Sequence, residues 1–268
     1  MTARARAGVW PAMARVNWYG LWSLYLKEVR RFTKIPAQTL IAPSMTALLM
    51  LAVFTLALGG AERRVGAIAF IDFLGPGMVM MTMLQNAFAN TSTSLVMAKL
   101  QGNIVDLLMV PLEPFEIAAA FILGGVTRGL ITGLMVSLAL SPFVAMAPAD
   151  WGAALFFAVM GSTMMAALGL MTGLWAVRFE HISAVTNFVI APLTFLSGTF
   201  YSIQRLPETL QSVSQANPFF YLIDGFRYGV TGVADGVPEI GLVVTLGLDV
   251  LLCLACYRLL ASGYKLKA

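Results

Sequence analysis

Residues 192–232 read PLTFLSGTFYSIQRLPETLQSVSQANPFFYLIDGFRYGVTG. The stretch begins inside an apolar run, turns polar, passes through two short amphipathic pieces and meets a second apolar run. Neither piece reaches the about 20 residues that a helix needs to cross a bilayer. Aromatic, glycine and proline residues crowd the boundary between polar and apolar sequence. This pattern predicts backbone that dips into a membrane surface without crossing it.

The rest of the chain supplies the membrane context. Of 268 residues, 59% are hydrophobic and 11% charged, and mean hydropathy is +0.83. A soluble domain carries about 25% charged residues, so the chain reads as an all-α integral membrane protein. Apolar runs at 38–60, 70–96, 117–139, 152–177, 182–200 and 241–260 predict six transmembrane helices. They fill the chain as a single membrane domain over 38–261, with a segment 1–37 before it and a tail 262–268 after it. Arg4, Arg6 and Arg15 are not followed by the short apolar core and cleavage site of a secretory signal.

Cation placement sets the orientation, because cytoplasmic loops are enriched in Lys and Arg. Arg4, Arg6, Arg15, Lys27, Arg30, Arg31, Lys34, Lys99, Arg178, Arg258, Lys265 and Lys267 fall on one side; Arg63, Arg64, Arg205 and Arg227 fall on the other. Both termini are therefore expected in the cytoplasm. The net charge of +4 comes mostly from this asymmetry and does not point to nucleic acid.

Residues 17–35 place Trp18, Leu21, Trp22, Tyr25, Val29 and Phe32 on one helical face and Ser23, Lys27, Arg30, Arg31 and Lys34 on the other. Such a helix lies in the headgroup plane, and membrane lipid satisfies its cations. Pro36 ends it. It serves either as a topological anchor or as a mechanical link to a cytoplasmic partner.

Within the spans, Thr82, Asn86, Asn90 and Thr93 share a face that must meet protein or a wet cavity. Gly125, Gly129 and Gly133 form a small-residue stripe for close helix contact. Arg128 adjoins it and needs a partner; Asp249 lies at similar depth, so an Arg128–Asp249 ion pair is one expectation, and carbonyls or water the other. Between the second and third spans, Gly102 opens a turn, residues 103–109 allow about two helical turns, and Pro111 and Pro114 stop them. A short, stiff, partly apolar helix of this kind fits a groove on another protein, or is simply a tight connection.

Catalytic signatures are missing from the sequence. It holds no phosphate-binding G-x-x-x-x-G-K-[ST] loop and no H-E-x-x-H. One histidine does not build a metal site. Cys253 and Cys256 share a C-x-x-C spacing without a cationic neighbour and read as packing residues. Ser197 and His181 sit at opposite ends of one span, roughly 24 Å apart on a helix, which excludes a nucleophile–base dyad within the chain.

The stretches KEVRRF, FLGPG, GNIVDLLMVPL and APLTFLSGTFYS…LP…NPFFYLIDGFRYGVTG resemble, in order and spacing, the membrane subunits of ABC-2 type transporters, in the Yad-type and nodulation-type branch. The resemblance runs from about residue 25 to 264. It implies six transmembrane helices, an interfacial amphipathic N-terminal helix and a re-entrant helical hairpin between the fifth and sixth spans. It further implies a homodimer in the bacterial inner membrane driven by a separate ABC ATPase subunit, with ATP and magnesium held there and no cofactor on this chain. Gly102, Asn103, Asp106, Leu107 and Pro111 then form the coupling helix, and Lys27, Arg30 and Arg31 a second ATPase contact. Pro192, Ser197, Gly198, Asn217, Pro218, Asp224 and Arg227 belong to the re-entrant gate, where Asp224 and Arg227 pair with each other or across a dimer. The expected cargo is an amphipathic, lipid-linked or glycan-type substrate. A secondary transporter and a non-transporting scaffold are the alternatives.

Overall fold

The computed structural model describes residues 16–57, 64–66, 68–104 and 109–265. Helix α1 (Trp18–Thr33) starts where the Asn17 side chain accepts from the Gly20 N–H at 3.0 Å, satisfying one of the free donors of a first turn. Its end is set by Pro36. That residue has no N–H for the Phe32 carbonyl, and the buried Thr39 hydroxyl donates to Phe32 O instead, at 3.0 Å.

Helix α2 (Ala37–Ala57) opens with a π-helical turn over Ala37–Ile41. The same winding recurs in α6, which runs through Phe179–Val185, a π turn at Thr186–Ile190, and Ala191–Phe195. Both π turns directly precede an Ile-Ala-Pro sequence, Ile41–Pro43 and Ile190–Pro192. A proline ring clashes with the carbonyl four residues back, and the wider turn relieves the clash. At the first site the freed Thr39 carbonyl accepts from Thr132 Oγ1 at 3.5 Å.

A two-residue hairpin, β1 (Arg64–Val65) and β2 (Ile68–Ala69), pairs Val65 with Ile68. Helix α3 (Phe70–Leu100) follows, then α4 (Pro114–Leu140) and α5 (Trp151–Trp175). Short helices α7 (Glu208–Ala216) and α8 (Pro218–Thr231) lead to α9 (Pro238–Ala261). Helix α3 is the centre of the bundle and packs most extensively on α5 and α4. At 31 residues it is about 46 Å long and outruns a hydrocarbon core of about 30 Å. Helices α2 and α9 are peripheral and turn apolar side chains such as Leu49, Val53, Val243 and Leu251 outward.

Among the described residues, four helices are both long and apolar enough to cross a membrane: α2, α4, α5 and α9. The expected second span is α3, whose polar face lowers its hydropathy below that of the others. The expected fifth span, 182–200, is shorter as a helix than its apolar run, because Leu196 already leaves the helix and Gly198 takes a left-handed φ of 73°. The glycine stripe on α4 lies against α3 and α5: a Cβ on Gly125 would stand 2.7 Å from Ala166 Cβ and 3.1 Å from Ala87 O. Close approach of this sort lets van der Waals packing hold helices together in lipid.

Candidate functional site

A polar cluster joins α1, α3 and α4. Glu28, 1% exposed, accepts from Ser94 Oγ at 2.7 Å and from Arg31 at 3.2 Å. The Arg31 guanidinium also donates to the Asn90 carbonyl at 2.6 Å and to Asn90 Oδ1 at 2.8 Å. One turn away, Arg128 donates to Asn86 Oδ1 at 3.1 Å, and Tyr25 and Thr127 share a hydrogen bond at 3.0 Å. Charged groups of α1 and α4 thus meet the polar face of α3, as buried polar groups in an apolar bundle require partners, although Asn90 Nδ2 has none among the described residues.

This corrects two expectations. Helix α1 does not divide cleanly into an aromatic face and an opposite face that holds all its cations. It buries Leu21, Leu24, Glu28 and Phe32 against the bundle, while Trp18 and Trp22 remain exposed. Lys27 and Arg30 are exposed as well, but Arg31 is turned inward and bonded, so it does not stand free for a partner. Glu28 was the missed residue. The signal was legible: a glutamate at the same spacing as Leu21, Leu24 and Phe32 sits on the apolar stripe, where a charge must be paired.

Arg128 and Asp249 do not pair either. The ion pairs among the described residues are Arg31–Glu28 and Arg227–Asp224. Arg128 turns toward Asn86 on α3, whereas Asp249, 4% exposed, has no hydrogen-bond partner at either carboxyl oxygen. Similar depth along two helices does not bring side chains together when each faces a different neighbour. Asn86 also borders an open groove of about 290 Å³ between α2 and α3, lined by Gln38, Thr46, Thr82, Gln85 and Met81 among others.

The start of α1 meets the connection between α3 and α4. Asn17 Nδ2 donates to Pro111 O at 3.3 Å, and the Asn17 N–H donates to Glu116 Oε1. Glu116 accepts the Glu113 N–H through its other oxygen at 2.7 Å, and the two glutamates form a reciprocal capping box at the start of α4. Leu112 is buried against Gly20. On the α3 side, Gly102 adopts φ 75°, Asn103 Nδ2 donates to Gln101 at 3.3 Å, and Ile104 is buried. Asp106 and Leu107 lie outside the described residues. Sequence reading did not single out Asn17 and Glu116, although Glu-Pro-x-Glu before an apolar run is a helix-start signature.

A second polar assembly lies at the other end of the bundle. Arg227, 1% exposed, donates to Asp224 Oδ1 at 3.3 Å, to Phe73 O at 3.3 Å and to Gly198 O at 2.8 Å. Its guanidinium carbon stands 3.8 Å over the Phe73 ring. Asp224 accepts the N–H groups of Asp235 at 2.9 Å and Gly236 at 2.8 Å. Asp235 in turn accepts from Ser202 Oγ at 2.8 Å and Ile203 N at 3.0 Å. The Asp224–Arg227 pair therefore closes within one chain and ties α8 to the start of α3 and to the loops before α7 and after α8. Asn217 caps α8 through the Phe219 N–H at 3.1 Å and reaches back to Leu193 O at 2.6 Å. Pro218 is the first residue of α8, the favoured place for proline. Pro192 and Ser197 close the end of α6, where the Ser197 hydroxyl donates to Thr194 O.

Two lysines cap the far end of α5. Lys99 donates to Gly173 O at 2.9 Å and Ala176 O at 3.2 Å, and Lys265 to Trp175 O at 3.3 Å. Cations at a helix C-terminus meet its partial negative charge. Burial, with Lys265 adding to it, lowers the Lys99 pKa from 10.5 to about 8. The native state then releases this proton near pH 8 while the unfolded chain holds it to about pH 10.5. Stability is expected to rise with pH across that window. Subtracting the unfolding curve of Lys99→Met from that of the parent protein should isolate the rise. Parallel curves between pH 8 and 10 would show that Lys99 is fully hydrated.

A central polar helix clad by apolar ones, with a buried charge lock at one end and a folded-back N-terminal helix at the other, defines a polytopic helical membrane protein. The sequence profile of the ABC-2 type transporter family matches residues 19–231, and the chain belongs to that family. It is 36% identical over 260 residues to the inner membrane transport permease YadH of Escherichia coli K12, covering 96% of this chain and all of that protein. It is 20% identical over 215 residues to nodulation protein J of Rhizobium meliloti, covering 79% of this chain and 80% of that one. Nodulation protein J of Rhizobium leguminosarum bv. trifolii is 22% identical over 233 residues, covering 84% and 86%.

Proposed function

We propose that this chain is the permease subunit of an ATP-driven exporter of the bacterial inner membrane, working as a homodimer with a separate ABC ATPase. Helices α3 and α6 join the four apolar helices as six crossings, both termini face the cytoplasm, and α7 with α8 forms a re-entrant hairpin on the outer side. The observation that carries the reading is the joint between Asn17, Pro111 and Glu116. It makes α1 and the connection after α3 a single platform on the cation-rich side. An ATPase that moves this platform pulls on α3 through Glu28–Ser94 and Arg31–Asn90 and on α4 through the Glu116 cap.

The groove between α2 and α3 supplies polar contacts beside apolar ones, which suits an amphipathic, lipid-linked or glycan-type cargo. ATP and magnesium are assigned to the partner subunit, and none of the residues described above acts as a catalyst. Lys27 and Arg30 are exposed cations of α1 and are assigned to that partner, together with the connection residues Gly102, Asn103, Asp106 and Leu107. Leu107→Arg is expected to lower co-purification of the ATPase, or its substrate-stimulated hydrolysis, by tenfold or more, about 1.4 kcal/mol of coupling. Unchanged hydrolysis and export in that variant would overturn the coupling assignment. Failure of any ATPase to co-purify with the parent chain would overturn the exporter reading itself.

A further inference from the structure

The outward face of α9 carries a groove of about 610 Å³ bordered by Gly247, Val250, Leu251, Leu254 and Arg258, with Met171 of α5 along its side. Leu251 and Leu254 are more than half exposed, and a Cβ on Gly247 would meet nothing within 4 Å. We infer that this groove holds the acyl chain of an anionic glycerophospholipid whose phosphate pairs with Arg258.

Three observations carry the assignment. First, Gly247 and Arg258 are eleven residues apart on one helix, about 16 Å along its axis. That is close to half of the hydrocarbon core, about 30 Å thick, and so to the depth of one leaflet. Second, Arg258 lies in the last turn of α9, at the cation-rich end of the bundle, where headgroups of the inner leaflet gather. Third, Arg258 has no internal counter-ion. Among the described residues no hydrogen bond or ion pair engages its guanidinium. Asp249 is buried on the opposite face of the helix, and Lys265 is occupied with the Trp175 carbonyl. An apolar trough ending in a free guanidinium matches a lipid tail ending in a phosphodiester. A second copy of this chain would bring its own apolar helix and leave that charge unpaired.

The inference rests on α9 crossing the bilayer, not on transport, so its failure leaves the permease reading standing. The test is native mass spectrometry of the full chain released from nanodiscs of equimolar phosphatidylglycerol and phosphatidylcholine with identical acyl chains. At least fivefold preferential retention of phosphatidylglycerol is expected. Arg258→Gln should bring it down to the phosphatidylcholine level, Arg258→Lys should keep most of it, and Gly247→Leu should lower retention of both lipids by filling the trough. Equal retention by the parent and Arg258→Gln would overturn the site. Inorganic phosphate that competes the lipid away at millimolar concentration would show a bare anion site instead. Efficient disulfide cross-linking of Leu254→Cys between copies would show a protein occupant.

Discussion

Replacing Arg227 by methionine should destabilise the protein by about 3–5 kcal/mol, the usual loss when one partner of a buried ion pair is removed. The guanidinium is 1% exposed and serves three acceptors on three segments: Asp224 of α8, the Phe73 carbonyl of α3 and the Gly198 carbonyl after α6. Methionine fills much of the volume but donates nothing. Asp224 keeps its two backbone donors, Asp235 N and Gly236 N, yet loses its counter-charge, and the Phe73 and Gly198 carbonyls each lose a donor. Arg227→Lys should recover only part of the loss, because an ammonium cannot span three acceptors as a planar fork does. Asp224→Asn should cost less than Arg227→Met, because an amide oxygen still accepts one of the two N–H groups. The double variant should show a coupling of at least about 1 kcal/mol. Reversible unfolding in mixed micelles reads all of these, and a loss below about 1 kcal/mol for Arg227→Met would mean that water reaches the site.

A second large effect is expected at the seam between α3 and α5. Gly169 faces Phe88 and Thr91, and a Cβ there would stand 2.5 Å from the Phe88 carbonyl oxygen and even closer to Thr91 Oγ1. The Thr91 hydroxyl already donates across this seam to Ala166 O at 2.9 Å. Side chains can swing away, but the carbonyl belongs to the central helix and is fixed by its own ladder. Gly169→Val should therefore separate the two helices and break the Thr91 bond. An overpacked core site costs about 1–3 kcal/mol and occasionally more, and this one lies in the most extensive contact of the fold, so a value at the upper end is expected. Gly169→Ala should fall between. Yield of monodisperse protein and the unfolding midpoint report the effect. A fully stable valine variant would mean that α3 and α5 slide freely, which the Thr91–Ala166 bond argues against.

Much of the architecture was legible from composition and periodicity. A helix needs about 20 apolar residues to cross a bilayer, so α2, α4, α5 and α9 stand out as runs. The glycine stripe at 125, 129 and 133 announced close packing because nothing else explains three glycines on one helix face. Asn217-Pro218 announced the start of α8 because it pairs a capping side chain with a proline at the first helical position. Even the π turns have a local cause, the proline that follows each Ile-Ala pair, although winding of that kind cannot be read without knowing that the helix continues through it.

Partnerships were not legible, and Arg128, Arg31 and Arg227 show why. For Arg128, inside an apolar run, the demand for a partner can be read from one residue; for Arg31 and Arg227 it cannot. Which partner answers depends on the rotation of neighbouring helices about their axes. Arg128 finds Asn86 rather than Asp249, Arg31 turns in to Asn90 and Glu28 rather than out, and Arg227 closes on Asp224 within its own chain. A rotation of some tens of degrees, undetectable in a hydropathy pattern, exchanges one set for another.

By itself, then, the sequence determined that this chain is an integral membrane protein with several crossings, which residues break its helices and where its glycines permit contact. These follow from the local cost of placing charge, proline or backbone in hydrocarbon. Only the tertiary structure decided that α8 is bolted to α3 by a buried arginine, that α1 is welded to the bundle through Glu28, and that Asp249 is left without a partner among the described residues. Those outcomes depend on contacts between residues tens to hundreds of positions apart, and packing alone selects among them.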